Sequence, residues 1–91
     1  MNLDHLDKES RAFYDGLIET YRLEEWQCRI LADAAHCRQR ICQARAEIER
    51  LGVLIPDRFG QLKENPAVKA EREQKSLFAR LLMQLNLATG E

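Results

Sequence analysis

Long apolar runs are missing from this chain: none of its 91 residues sit in a stretch near the roughly 18 to 20 apolar positions that a bilayer-crossing helix needs. Its charged opening also lacks the apolar core of a secretion signal, so a cytoplasmic protein with no membrane partner is expected. Cysteine is scarce. The three that occur, Cys28, Cys37 and Cys42, fall in one helical segment, and an odd count without an export signal points to reduced thiols packed as small apolar groups. A dominant charge sign is missing too: 14 Lys and Arg stand against 15 Asp and Glu, a net charge of −1, so the chain as a whole does not announce a polyanionic or membrane partner.

Catalytic patterns are equally absent. There is no GxxxxGK[ST] phosphate loop, GxGxxG turn, HExxH pair or serine in a nucleophile elbow, and His5 and His36 lie in different segments. A non-enzyme without cofactor is expected, with no catalytic residue. His36, Cys37 and Cys42 offer ligand types that zinc accepts, but Cys37 and Cys42 would stand about 140° apart on a helix and no CxxC pair closes a tetrahedral site. No metal is expected.

What the chain does have is one small domain's worth of residues, and three helical patterns. In the first, Leu6, Ser10, Phe13, Leu17 and Tyr21 recur at spacings of three and four, which predicts a helix over about 7–21. Tyr21-Arg22-Leu23 reads as a break, and Glu24 and Glu25 suit the positive end of a new helix dipole. The second pattern predicts a helix over about 24–51. In it, Ile30, Ala34, Cys37, Ile41, Ala44, Ile48 and Leu51 form a seven-residue repeat whose small members allow a partner helix to approach closely. Trp26 continues this apolar side and is expected in the core, and Gly52 stands where a C-cap belongs.

At about 1.5 Å per residue this helix would reach roughly 42 Å. A compact chain of this size has a radius of gyration near 12 Å, a sphere about 30 Å across. The helix should overhang, and identical neighbours are the simplest cover for the excess, so a homo-oligomer is expected.

The link over 52–65 places Val53 and Ile55 before the turn Pro56-Asp57-Arg58-Phe59-Gly60 and Gln61-Leu62-Lys63 after it, which predicts a small hairpin. Asn65-Pro66 then marks a third helix, over about 66–87, with asparagine as N-cap and proline at the first helical position. Its turns from Lys69 to Ser76 are polar, while Leu77, Phe78, Leu81, Leu82 and Leu85 make an apolar face, so only the later part is expected to dock. The fold class is thus all-α: three helices, the central one long, with a hairpin-like link before the last, in an oligomer.

Charge is unevenly placed. Residues 1–27 carry a balance of −4, whereas Arg29, Arg38, Arg40, Arg45 and Arg50 against Asp33, Glu47 and Glu49 give residues 28–50 a balance of +2. Arg38, Arg40, Arg45, Arg58 and Lys63 are the candidate phosphate contacts, because guanidinium and ammonium groups donate to phosphate oxygens. The competing reading of the α-helical arginines is a solvated, salt-bridged face, with Arg45 and Glu49 at i,i+4. A ring would repeat each unpaired arginine around one channel and so build a strong field. Ile30, Ile41, Ile48 and Phe59 are the candidate oligomer contacts, with Phe59 at the tip of the link either inserting into a neighbour or covering its own hairpin.

The order Leu51-Gly52-Val53, then Gly60, then Lys63-Glu64-Asn65-Pro66-Ala67-Val68, then Leu81-Leu82-Met83-Gln84-Leu85-Asn86-Leu87 resembles the small subunit of phage terminases over roughly residues 10 to 87. The resemblance implies a helical, non-catalytic protein that assembles into rings, binds viral double-stranded DNA in the host cytoplasm, and recruits or regulates the large ATPase and nuclease subunit. It also implies a structural capping role for Asn65-Pro66. The chain departs from that family at Asn86, where a glycine is common, and at Ala88-Thr89-Gly90-Glu91, which stand in place of a proline and basic tail. Two other readings remain beside it: a dimeric helical adaptor paired through the seam of the second helix, and a helix-turn-helix DNA-binding regulator with Tyr21-Arg22-Leu23 as its turn.

Overall fold

The computed structural model describes residues 3–85. The chain runs α1 (Lys8–Thr20), α2 (Glu25–Leu51), β1 (Leu54–Pro56), β2 (Leu62–Glu64) and α3 (Pro66–Leu85). These are the three helices, long central helix and small hairpin expected. The expected end of the third helix, residues 86 and 87, lies outside the described residues.

Each helix starts where a side chain satisfies backbone donors that have no intrahelical partner. Asp7 caps α1, its Oδ1 accepting the Ser10 amide at 2.8 Å. At the head of α2, Gln27 Oε1 accepts the Glu24 amide at 2.9 Å. Asn65 caps α3 through Oδ1, which accepts the Ala67 amide at 3.0 Å, and Pro66 follows at the position where its missing N–H costs nothing. Gly52 ends α2 with φ +91°, a region that a Cβ disfavours, and its amide donates to Ile48 O.

The long helix does not overhang a sphere; the whole protein is long instead, 54 × 27 × 19 Å with a radius of gyration of 16.2 Å. The chain turns back through the hairpin, so α3 lies along α2 in the opposite sense, and most tertiary contact is between these two. The seam wanted a helix, and α3 of the same chain supplies it: Ala34, Cys37, Ile41 and Ala44 are all buried. At one end, α1 folds over α2, where Tyr14, Leu31, Ala32, Ala35 and Leu85 form a core with Phe13, Leu17, Ile30 and Leu82 packed on it. Gln27 closes that end, its Nε2 donating to Leu85 O at 3.0 Å.

Two expectations are corrected. Trp26 is not in the core but 51% exposed. Gln27, one residue and so about 100° further round, is the side chain aimed at α3, which turns Trp26 away. The first turns of α3 also dock rather than stand free. Ala67 and Val68 are half-buried, and Arg45 Nε on α2 meets Glu71 Oε2 on α3 at 2.8 Å.

In the hairpin, Leu54 pairs with Glu64, Ile55 with Lys63 and Pro56 with Leu62 in antiparallel register. Side chains alternate along each strand, so Leu54, Pro56 and Leu62 share one face and Ile55 takes the other. Ile55 is half-buried while Leu54 and Leu62 are exposed.

Candidate nucleic-acid interface

The five cations singled out in the sequence divide into three groups. Arg38 and Arg45, seven residues apart on α2, lie on one side of the α2–α3 contact, where they line a groove of about 230 Å³ with Ile41, Cys42, Lys75 and Phe78. Arg40 stands roughly 140–160° around the helix from them and borders two other grooves, one with Asp33 and His36 and one with Glu47 and Gln74. Arg58 and Lys63 are on the hairpin, at the far end of α2. The structure therefore brings Arg38 and Arg45 together and keeps the other three apart from them.

Carboxylates already occupy part of this charge. Arg29 meets Glu25 at 3.3 Å and Arg50 meets Glu47 at 2.8 Å, both exposed pairs within α2. Arg45 is paired too, with Glu71 of α3 and not with Glu49, and Lys75 lies 3.5 Å from the same Glu71 oxygen. The hydrogen bond from Arg45, with the nearby Lys75 charge, holds the Glu71 carboxyl below its usual range. Arg38 and Arg40 make no ion pair among the described residues.

Arg38 is held differently. Its guanidinium lies over the Phe13 ring of α1, 5.8 Å from the centroid, and Phe13 in turn packs against Phe78 of α3 with centroids 5.8 Å apart. Its Nη1 is enclosed by protein and has no hydrogen-bond partner among the described residues.

Lys75 is the member of this groove that sequence reasoning missed. It sits on α3, and only the register of α3 against α2 places it beside Arg45.

The candidate contacts between copies also divide. Ile41 is 7% exposed and buried inside the chain, so it has no surface to offer a neighbour. Ile30 is half-buried against the core near α1, and Ile48 is half-buried toward the end of α2. Phe59 is 78% exposed, and Leu51, Val53, Leu54 and Leu62 around it are each close to half exposed or more.

The loop that carries Phe59 is well tied. Asp57 Oδ1 accepts the amides of Phe59 at 2.8 Å and Gln61 at 2.9 Å, and the Asp57 amide donates to Gln61 O. Gly60 takes φ +81° at the turn, and Arg58 lies over the Phe59 ring at 5.3 Å. A largely exposed aromatic ring is thus displayed on a hydrogen-bonded turn with a cation against it.

The thiols are free and set in different surroundings: Cys37 buried, Cys28 half-buried and Cys42 exposed in the basic groove. Burial pushes the Cys37 thiol up from its ordinary value. Among the described residues no three His, Cys, Asp or Glu side chains gather as a metal site, and no helix is long and apolar enough to cross a membrane.

Set beside known proteins, the chain matches no family model, no curated protein and no solved structure.

Proposed function

We propose that this protein is the small subunit of a phage terminase: a non-catalytic, homo-oligomeric component, ring-forming, that recognises viral double-stranded DNA and recruits or regulates the large ATPase and nuclease subunit. The observation that carries the reading is the uncovered apolar hairpin. Two strands alone are marginal in water and leave both edges open. Here they present Leu54, Leu62 and Phe59 to solvent at the end of an elongated helical pair. Each such side chain gains about 1.5 to 3 kcal/mol when it is covered. A neighbouring copy, offering the same surface, is the simplest cover.

Assembly also answers the charge problem. A single chain with a net charge of −1 holds duplex weakly, whereas a ring repeats the Arg38 and Arg45 face once per subunit. The resemblance in the Leu51-Gly52-Val53 to Leu87 order supplies the biological setting. The adaptor reading, a dimer zipped along the α2 seam, is disfavoured because α3 of the same chain lies on that seam.

The test is the mass of the purified chain in solution, by light scattering, together with its binding to duplex DNA at low salt. The reading expects a mass several times 10.6 kDa and salt-sensitive binding. A stable monomer that ignores duplex sinks it, and a plain dimer without DNA affinity returns the adaptor reading.

A further inference from the structure

We infer that the groove between α2 and α3 lined by Arg38, Arg45, Lys75 and Phe78 is the surface that holds the phosphodiester backbone of duplex DNA, with Lys75 as an unrecognised contact and Glu71 as its internal restraint. The inference rests on the DNA reading above and narrows it to one face.

Three cations from two helices converge there around an apolar floor of Ile41 and Phe78. A merely solvated helix face would pair them with acids along the same helix, as Arg29 and Arg50 are paired. Here one carboxylate, Glu71, serves both Lys75 on its own helix and Arg45 across the helix contact, and its side chain is only 19% exposed, so it ties a cation of α2 to one of α3. Bracing lowers the cost of ordering long side chains on binding, but the Glu71 charge also competes with phosphate for the same two cations, and that competition is the larger effect. The pairing leaves the groove with more positive than negative charge.

Arg38 adds the third contact. Phe13 fixes the position of its guanidinium, yet its Nη1 is enclosed without a hydrogen-bond partner among the described residues. An enclosed donor without a partner destabilises the resting position, so a swing toward a phosphate oxygen gains a charge-assisted hydrogen bond and gives up none at that nitrogen. Asp7 is an opposing charge that feels Arg38, and its carboxylate already accepts the Ser10 amide at the α1 N-terminus.

Rival surfaces are weaker. Arg40 shares its grooves with Asp33 and with Glu47, and Arg58 is folded over Phe59 on the hairpin.

The test is fluorescence anisotropy with a short labelled duplex across about 50 to 200 mM salt. Arg38→Gln and Lys75→Gln are each expected to lower affinity about eightfold near 0.1 M salt and to flatten the salt slope by about one contact, equally for unrelated sequences. Glu71→Gln is expected to raise both affinity and slope, a gain that misfolding does not produce. Arg40→Gln is expected to bind as the parent does, and far-UV melts check that each variant folds. Unchanged binding by the Arg38 and Lys75 variants, or no gain with Glu71→Gln, overturns the groove while leaving the DNA reading intact. No duplex binding by the parent at about 50 mM salt overturns both.

Discussion

Asn65 and Gly52 close the hairpin onto its flanking helices: the Asn65 Nδ2 donates to Gly52 O at 2.9 Å while its Oδ1 caps α3. Backbone bonds run in parallel, with the Asn65 amide donating to Val53 O at 2.7 Å. Asn65 is 4% exposed, so neither half of its side-chain amide has water as an alternative partner. Asn65→Ala removes the cap and strands the Gly52 oxygen, an expected loss of about 2 kcal/mol. For a domain of this size that lowers Tm by roughly 10 °C. Asn65→Asp keeps the capping acceptor and loses only the donor, so it should melt between the parent and the alanine variant. Thermal unfolding followed by circular dichroism gives the order, and an aspartate variant no better than alanine would show that the Gly52 contact outweighs the cap.

Acid should loosen two contacts of the fold in the same direction. The hydrogen bond from the Ser10 amide holds the Asp7 carboxyl below its ordinary value, and the one from Arg45 does the same to Glu71. A carboxyl with a lowered folded pKa contributes stability that is present above its unfolded pKa, near 4, and that disappears as pH falls through the folded value. The urea midpoint is therefore expected to hold from neutral pH to about 5 and to decline below it. Asp7→Asn keeps a capping oxygen without a titratable group, so its midpoint should fall less steeply with acid than the parent's. An identical acid profile for the two proteins would remove Asp7 from this account.

The three thiols should separate by rate. Cys42 is exposed, whereas Cys37 is buried and its thiol is pushed up by that burial, which starves it of thiolate. With an aromatic disulfide reagent at neutral pH, Cys42 is expected to react first and Cys37 only as the protein unfolds. Replacing Cys42 with serine should remove the fast phase and leave the unfolding free energy within about 0.5 kcal/mol of the parent. A fast phase that survives the substitution would assign it to the half-buried Cys28, or, if it persists when Cys28 is also replaced, mean that the helix pair opens readily around Cys37.

The elements were legible where local chemistry decides them. Asn65-Pro66, Gly52 and the three-four spacing of apolar residues set the three helix starts and the ends of α1 and α2 to within a residue, and Val53 and Ile55 before an Asp-Arg-Phe-Gly turn announced the hairpin. The relations between elements were not legible. The seam of α2 shows that a helix belongs there but not that α3 of the same chain is the one. Polar residues from Lys69 to Ser76 looked undocked because residue type does not reveal an ion pair such as Arg45–Glu71. Trp26 was misplaced by a single helical step, since Gln27 is the residue that meets Leu85. In the basic groove, Arg38 and Arg45 were legible as helix-borne cations but not as a pair set apart from Arg40, and Lys75 depends on where α3 comes to rest along α2.

Phe59 offers the sharpest separation of folding from assembly. Its ring is 78% exposed and touched chiefly by the Arg58 guanidinium, so the isolated fold gains little from it. Phe59→Ser should leave the unfolding free energy of the dissociated chain within about 0.5 kcal/mol of the parent. In an assembly that covers the hairpin, the same change removes a large apolar contact of about 1.5 to 3 kcal/mol per subunit. Repeated around a closed ring, that loss should shift the mass in solution downward and make it depend steeply on concentration. Leu62→Ser, on the same apolar surface and 66% exposed, should act in the same sense, while Met83→Ser, 79% exposed near the end of α3, should not. Sedimentation of the three variants over a range of concentrations distinguishes the surfaces. An assembly untouched by Phe59→Ser and Leu62→Ser but broken by Met83→Ser would move the contact between copies from the hairpin to the opposite end of the helix pair.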